Sequence, residues 1–156
     1  MMNMRIDGLD RVQASFLQLE QISDDELWAM IEPAATLLKE RMQAVIGRLF
    51  RQRSGSLHDS IEVRRKVSKG GAVYGLVGPN DGQHPKATQG KRKPRAQGGR
   101  GGSYAGTNAE VGWILEYGTS RIPGRHWMET ACTEAEEDLL GLLESAWSAW
   151  LDASGM

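Results

Sequence analysis

The stretch SIEVRRKVSKGGAVYGLVGP, residues 60–79, decides the fold, because here the apolar period changes to two. Ile61, Val63 and Val67 alternate with Glu62, Arg64 and Lys66, as in a strand with one buried face. Ser68-Lys-Gly-Gly71 is a turn, since paired glycines tolerate positive φ. Val73 to Val77 returns as a second strand, and Gly78-Pro79 ends it. An antiparallel hairpin is therefore expected, with helical sequence on both sides of it.

Upstream, Leu9, Val12, Phe16 and Leu19 recur at gaps of three and four, which predicts a short amphipathic helix over residues 9–20. Ser23 and Glu26 have the spacing of a capping box. A long helix follows, with Leu27, Ile31, Ala34, Leu38, Met42, Val45 and Leu49 on one face. Pro33 interrupts it and is expected to kink the helix or restart it, because proline donates no backbone hydrogen bond. The helix should fade through Arg51-Gln-Arg-Ser54 and stop at Gly55.

Downstream, residues 80–108 hold seven glycines, two prolines and almost nothing apolar, so a flexible insertion is expected there. Residues 111–117, VGWILEY, fit a strand or a short helix. The helix reading is preferred, with Asn108 as N-cap and Gly118 as left-handed C-cap. Met128, Ala131, Ala135, Leu139, Leu142, Ala146 and Trp150 then line one face of a final helix of about 25 residues. Its acids concentrate in the first half, where the macrodipole favours them. The sum is an α+β fold in one domain, residues 1–156: long N-terminal and C-terminal helices on a small antiparallel sheet, with a long basic glycine-rich loop.

The length of 156 residues suits one compact core, and no run approaches the ~20 apolar residues of a membrane span. The N-terminus, MMNMRIDGLD, lacks signal-peptide character, and the single Cys132 excludes an internal disulfide; cytosolic synthesis is expected. The net charge of −1 conceals three zones: −3 over residues 1–50, +8 over 51–110 and −6 over 111–156. A basic middle between acidic ends suits an anionic partner, head-to-tail packing of identical subunits, or plain solvation.

Chemistry-bearing patterns are few. His58, His84 and His126 stand in no metal-gathering spacing, and Cys132 beside the apolar face reads as a buried, inert thiol. Neither a nucleophile elbow nor a phosphate-cradling loop occurs in the sequence. Glu116 sits inside an apolar run and is expected to pair with Arg121 or a backbone amide. Neither a catalytic residue nor a cofactor is expected, and the chain reads as a non-enzyme. Lys86, Lys91, Arg92, Lys93, Arg95 and Arg100 occur without an acid among them. They suit phosphates, an acidic protein surface or a solubilising loop tip. Trp147 and Trp150, three residues apart, cover core or form a docking patch.

Ser54-Gly-Ser-Leu-His-Asp-Ser-Ile61 resembles the TGxLRxSI junction of siphophage tail-completion proteins. Trp113-Ile-Leu-Glu-Tyr-Gly-Thr-Ser120, then Ile122-Pro123 and Arg125-His-Trp-Met128, resembles that family's vEfGT…P…PFlrPA block. Arg5-Ile-Asp-Gly-Leu9 is similar to its usual opening. These head–tail joining proteins are sometimes grouped with minor tail protein Z. His58 stands where the family has arginine, and His126-Trp127 where it has proline-phenylalanine. The resemblance implies a structural virion protein of the neck, a ring subunit around the DNA channel. Its partners would be copies of itself in a six-fold ring, the capsid connector or adaptor, and the tail terminator or tail tube. No membrane would be involved, and synthesis would take place in the bacterial host cytoplasm. Packaged DNA would be touched non-specifically at most. The motif positions carried over as structural are Gly55, Leu57, Ser60, Ile61, Glu116, Tyr117, Gly118, Thr119, Pro123 and Trp127. The basic loop falls outside the resemblance, and a nucleic-acid-binding module acting through it is the alternative reading.

Overall fold

The structure is a computed structural model that describes residue 17 and residues 21–50, 55–82 and 107–155. The expected helix over 9–20, apart from Leu17, and the loop cations Lys86, Lys91, Arg92, Lys93, Arg95 and Arg100 lie outside the described residues. The fold is α+β. Helix α1 spans Asp24–Leu49, a single turn α2 spans Ser56–Asp59, strands β1 and β2 span Ile61–Val67 and Val73–Pro79, and helices α3 and α4 span Asn108–Tyr117 and Trp127–Ser154.

The Ser23–Glu26 capping box opens α1 as the spacing requires: the Ser23 hydroxyl accepts from the Glu26 amide at 3.2 Å, and Glu26 accepts from the Ser23 amide at 2.9 Å. The restart expected at Pro33 does not occur, since α1 runs through it as one element. Two facts explain this. Trp28 and Ala35, on either side of the proline, both face Gly75 of β2, so the two halves share one packing surface. Ala29, whose carbonyl loses its partner, and Pro33 itself are both exposed, so water can serve the orphan acceptor. The helix ends at Leu49 and not at Gly55, which instead opens α2 with φ 71°.

The two strands pair antiparallel, Ile61 with Pro79 through Val67 with Val73. Paired residues share a face, so Ile61, Val63, Arg65, Gly75 and Val77 look one way, and Glu62, Arg64, Lys66, Tyr74 and Leu76 the other. The first set faces α1: Gly75 lies against Trp28, and Arg65 bonds Asp25 at 2.6 Å.

Arg41 pairs with Asp138 at 2.8 Å and Arg48 with Glu134, so rising numbers on α1 meet falling numbers on α4. The two long helices are therefore antiparallel. Alanines at 34 and 35 of α1 and at 131 and 135 of α4 are buried. The core gathers Met42, Val45, Ile46, Leu57, Ile61, Trp127 and Ala131, with Leu38, Val77, Val111 and Leu115 packed around it.

Residues 111–117 are helical, as preferred, but the cap is shifted. Thr107 is the N-cap, with Glu110 completing a second capping box at 3.2 and 3.0 Å, and Asn108 is the first helical residue. Gly118 ends α3 with φ 80° but ψ −172°, so the positive φ is as expected and the left-handed helical turn is not. Among the described residues, no helix is long and apolar enough to cross a membrane.

Candidate functional site

The two motif blocks, about fifty residues apart in sequence, form one unit. Gly55 takes a left-handed conformation and the α2 turn closes with the Ser60 amide on Ser56 O at 3.0 Å. That turn buries Leu57, and Ile61 follows it into the core. Ser60 is buried as well; its hydroxyl donates to Leu57 O at 2.7 Å, and its carbonyl accepts from the Asn80 amide at 2.9 Å. From the second block comes Trp127, wholly buried, whose indole N–H donates to Gly112 O at 3.0 Å. A Cβ on Gly112 would stand 3.0 Å from Pro79 Cγ, 3.4 Å from Trp127 and 3.5 Å from Leu57. Glycine at 112 is thus what lets α3 reach the hairpin end, α2 and the tryptophan together.

Glu116 is only 4% exposed, and its carboxylate accepts from the Met128 amide at 2.6 Å and the Glu129 amide at 3.3 Å. It caps α4 from another element, a task the N-cap residue His126 leaves undone, since its side chain makes no cap bond. Of the two partners expected for Glu116, the backbone amide is the one found. The α3–α4 connection is cross-tied: Thr119 N donates to Ile122 O at 2.7 Å, Arg125 N to Leu115 O at 2.8 Å, and Gly118 bridges Pro123. The Thr119 hydroxyl accepts from the Ile122 amide at 3.1 Å. Arg125 adds an anchor the sequence reading missed. Its guanidinium donates to Leu49 O at 2.9 Å, serving an orphan carbonyl at the end of α1, and lies over the Phe50 ring.

Tyr117 departs from its neighbours. It is 59% exposed and rests against Trp113, itself 62% exposed, with ring centroids 4.3 Å apart. With exposed Ile122 nearby in sequence, this gives α3 an apolar outer face. Trp147 and Trp150 stack at 5.4 Å; Trp150 is half-buried and Trp147 exposed, so core packing accounts for only one of the pair.

The basic segment leaves and re-enters the fold at one place. Asn108 N donates to Gly82 O at 2.8 Å and Ala109 N to Asn80 O at 3.1 Å. The Asn80 side-chain oxygen accepts from Gly82 N at 3.0 Å and from the Asn108 amide group at 3.3 Å, and Ser56 Oγ donates to Asn108 at 2.9 Å. Both roots are therefore fastened to the first motif block. Asn108 is the residue the sequence offers as N-cap of α3, and its bonds to the loop root do not follow from that; Asn80 carries no such signal.

Cys132 is exposed, correcting the expected burial: the face of α4 is set by Ala131 and Ala135, and the residue after Ala131 turns outward. Partial desolvation and the charge of Glu116 push its thiol upward, which disfavours the thiolate. Glu116, His126 and Glu129 each bring one potential ligand atom within 4.8 Å of the others, a grouping that sequence spacing did not show. Glu116 already serves two amides there, and the positive end of α4 opposes a cation at that point. No family model, curated protein or solved structure matches the chain.

Proposed function

We propose that the chain is a structural, non-enzymatic subunit of a tailed-bacteriophage virion, joining head to tail as a tail-completion protein at the neck. The observation that carries this reading is the merging of the two motif blocks. Leu57 and Ile61 of the first and Trp127 of the second share one core cluster, and Glu116 of the second caps the longest helix. These motif positions thus do connected structural work. Work of this kind is mechanical: it offers surfaces to unlike neighbours and leaves a lumen for DNA. Apolar side chains left exposed on α3, the hairpin and α4 suit a chain covered on several sides in its assembly.

In a six-fold ring, copies meet head to tail, and a basic middle facing an acidic C-terminal zone would close the cycle. The connector or adaptor and the tail terminator or tube are the outer partners in this reading. The loop bearing Lys86, Lys91, Arg92, Lys93, Arg95 and Arg100 would order on assembly, against a neighbour or DNA. Antibody against the chain, imaged on particles of the encoding phage, tests the placement. Label confined to the head–tail junction is expected; label on tail fibres, or none on intact or disrupted particles, would refute it. Protease should cut residues 80–108 in the free subunit and spare them in particles. Equal cutting in both would remove the ordering of the loop.

A further inference from the structure

Helix α4 is apolar on two opposite sides. The inner side, through Ala131 and Ala135, meets α1 and the core. Leu140, Leu143 and Trp147 recur at gaps of three and four on the outer side and are 53%, 38% and 41% exposed. At 100° per residue they project about 120–180° away from Ala131, together with exposed Glu136 and Glu144. α4 carries seven carboxylates and no lysine or arginine; Glu134 and Asp138 are paired with α1, while Glu136, Glu137 and Glu144 have no ion-pair partner among the described residues. A surface that is apolar at its centre and acidic at its flanks calls for one that is apolar and basic.

The hairpin offers such a surface. The face turned away from α1 exposes Tyr74 and Leu76 beside Lys66, with Arg64 next along the strand and Lys69 at the turn. Arg64 lies 3.3 Å from Glu62, whereas Lys66 and Lys69 have no acidic partner among the described residues. The spans are compatible: Glu136 to Glu144 rises about 12 Å along α4, and the backbones of Lys66 and Lys69, three residues apart, are separated by at most about 10 Å, a difference two lysine side chains can reach across.

We infer that the outer face of α4 in one copy docks on the outward face of the β1–β2 hairpin in the next copy. Leu140, Leu143 and Trp147 cover Tyr74 and Leu76, while Glu136 and Glu144 meet Lys66 and Lys69. The contact is heterologous, so repetition closes a ring or extends a filament. Pairing α4 with α4 is opposed by its own charge, since its outer face carries Glu136 and Glu144 and the helix has no lysine or arginine to meet them. The biological setting rests on the neck-subunit reading, and the contact names the partner surface within it.

Charge reversal tests the contact, using the full chain. One variant carries Glu136→Lys and Glu144→Lys, the other Lys66→Glu and Lys69→Glu; all four positions are exposed, and circular dichroism checks that the fold is kept. In sedimentation velocity the wild type should self-associate, and each variant alone should associate about a hundredfold more weakly or less. An equimolar mixture should recover association, because every contact between unlike copies is again complementary, and should form assemblies with an even number of chains. A wild type that stays monomeric at its highest soluble concentration, a variant that associates alone as the wild type does, or a mixture that fails to recover would each overturn the inference. The two readings fail separately. Infectious particles without the gene would remove the neck assignment and leave a recovered mixture standing, and a failed mixture would remove the contact alone.

Discussion

Replacing Glu116 by glutamine isolates the bond between the second motif block and α4. The shape is kept, and one oxygen can still accept from Met128 N, now as a neutral acceptor in place of a charged one. That exchange costs about 1 kcal/mol, because hydrogen bonds to charged groups are roughly twice as strong. The amide NH2 then faces Glu129 N–H, donor against donor, where the carboxylate had accepted at 3.3 Å. Glu129 is exposed, so water recovers part of that loss, leaving about 0.5 kcal/mol. Removing a negative charge from the positive end of a 28-residue helix, at a site 4% exposed, adds about 1 kcal/mol. The total is about 2–3 kcal/mol. Urea denaturation followed by circular dichroism reads it as a lowered midpoint with an unchanged slope. A Glu116→Gln protein within about 0.5 kcal/mol of wild type would show that the cap is incidental.

Three further outcomes follow from the same geometry. Gly118→Ala forces φ 80° on a side chain and drives its Cβ onto Gly124 N and Ile122 O, so a loss of about 3 kcal/mol or more is expected on thermal or urea unfolding; wild-type stability would show that the α3–α4 connection yields freely. Gly112→Ala sets a helix-propensity gain of about 1 kcal/mol against overpacking of about 1–3 kcal/mol on Pro79, Trp127 and Leu57. All three neighbours are fixed in the core or at the strand end, so net destabilisation is expected, and a more stable variant would contradict that. Cys132, though exposed, should alkylate more slowly with iodoacetamide at mildly alkaline pH than an unstructured cysteine. Its raised pKa lowers the thiolate fraction until the pH passes above the ordinary thiol range; an equal or faster rate would show that Glu116 and partial burial do not act on the sulfur.

Most local devices are legible where a signal and its partner lie within a few residues. Ser23 with Glu26, the period of two over Ile61–Val67 and the glycine turn all needed only neighbours. Thr107-Asn-Ala-Glu110 carried the same capping signal as Ser23, and Asn108 drew attention from it. Where the partner is remote, the residue type showed and the partner did not. Glu116 stood out as a carboxylate among apolar residues, yet its amides lie 12 and 13 positions on, beyond a cross-tied connection. Pro33 points to a kink or a restart because propensity is local, whereas the packing of Trp28 and Ala35 against Gly75 of β2 acts on α1 from outside. The outer stripe on α4 was missed because one apolar face suffices to explain a helix. Leu140, Leu143 and Trp147 form a second, which folding alone leaves uncovered.

Electron microscopy of a lysate from the encoding phage with the gene deleted tests the proposal that this chain completes the joint between head and tail. Filled heads beside separate, complete tails are expected, with joined particles restored when the chain is supplied in trans. Normal, infectious particles from the deletion would contradict it.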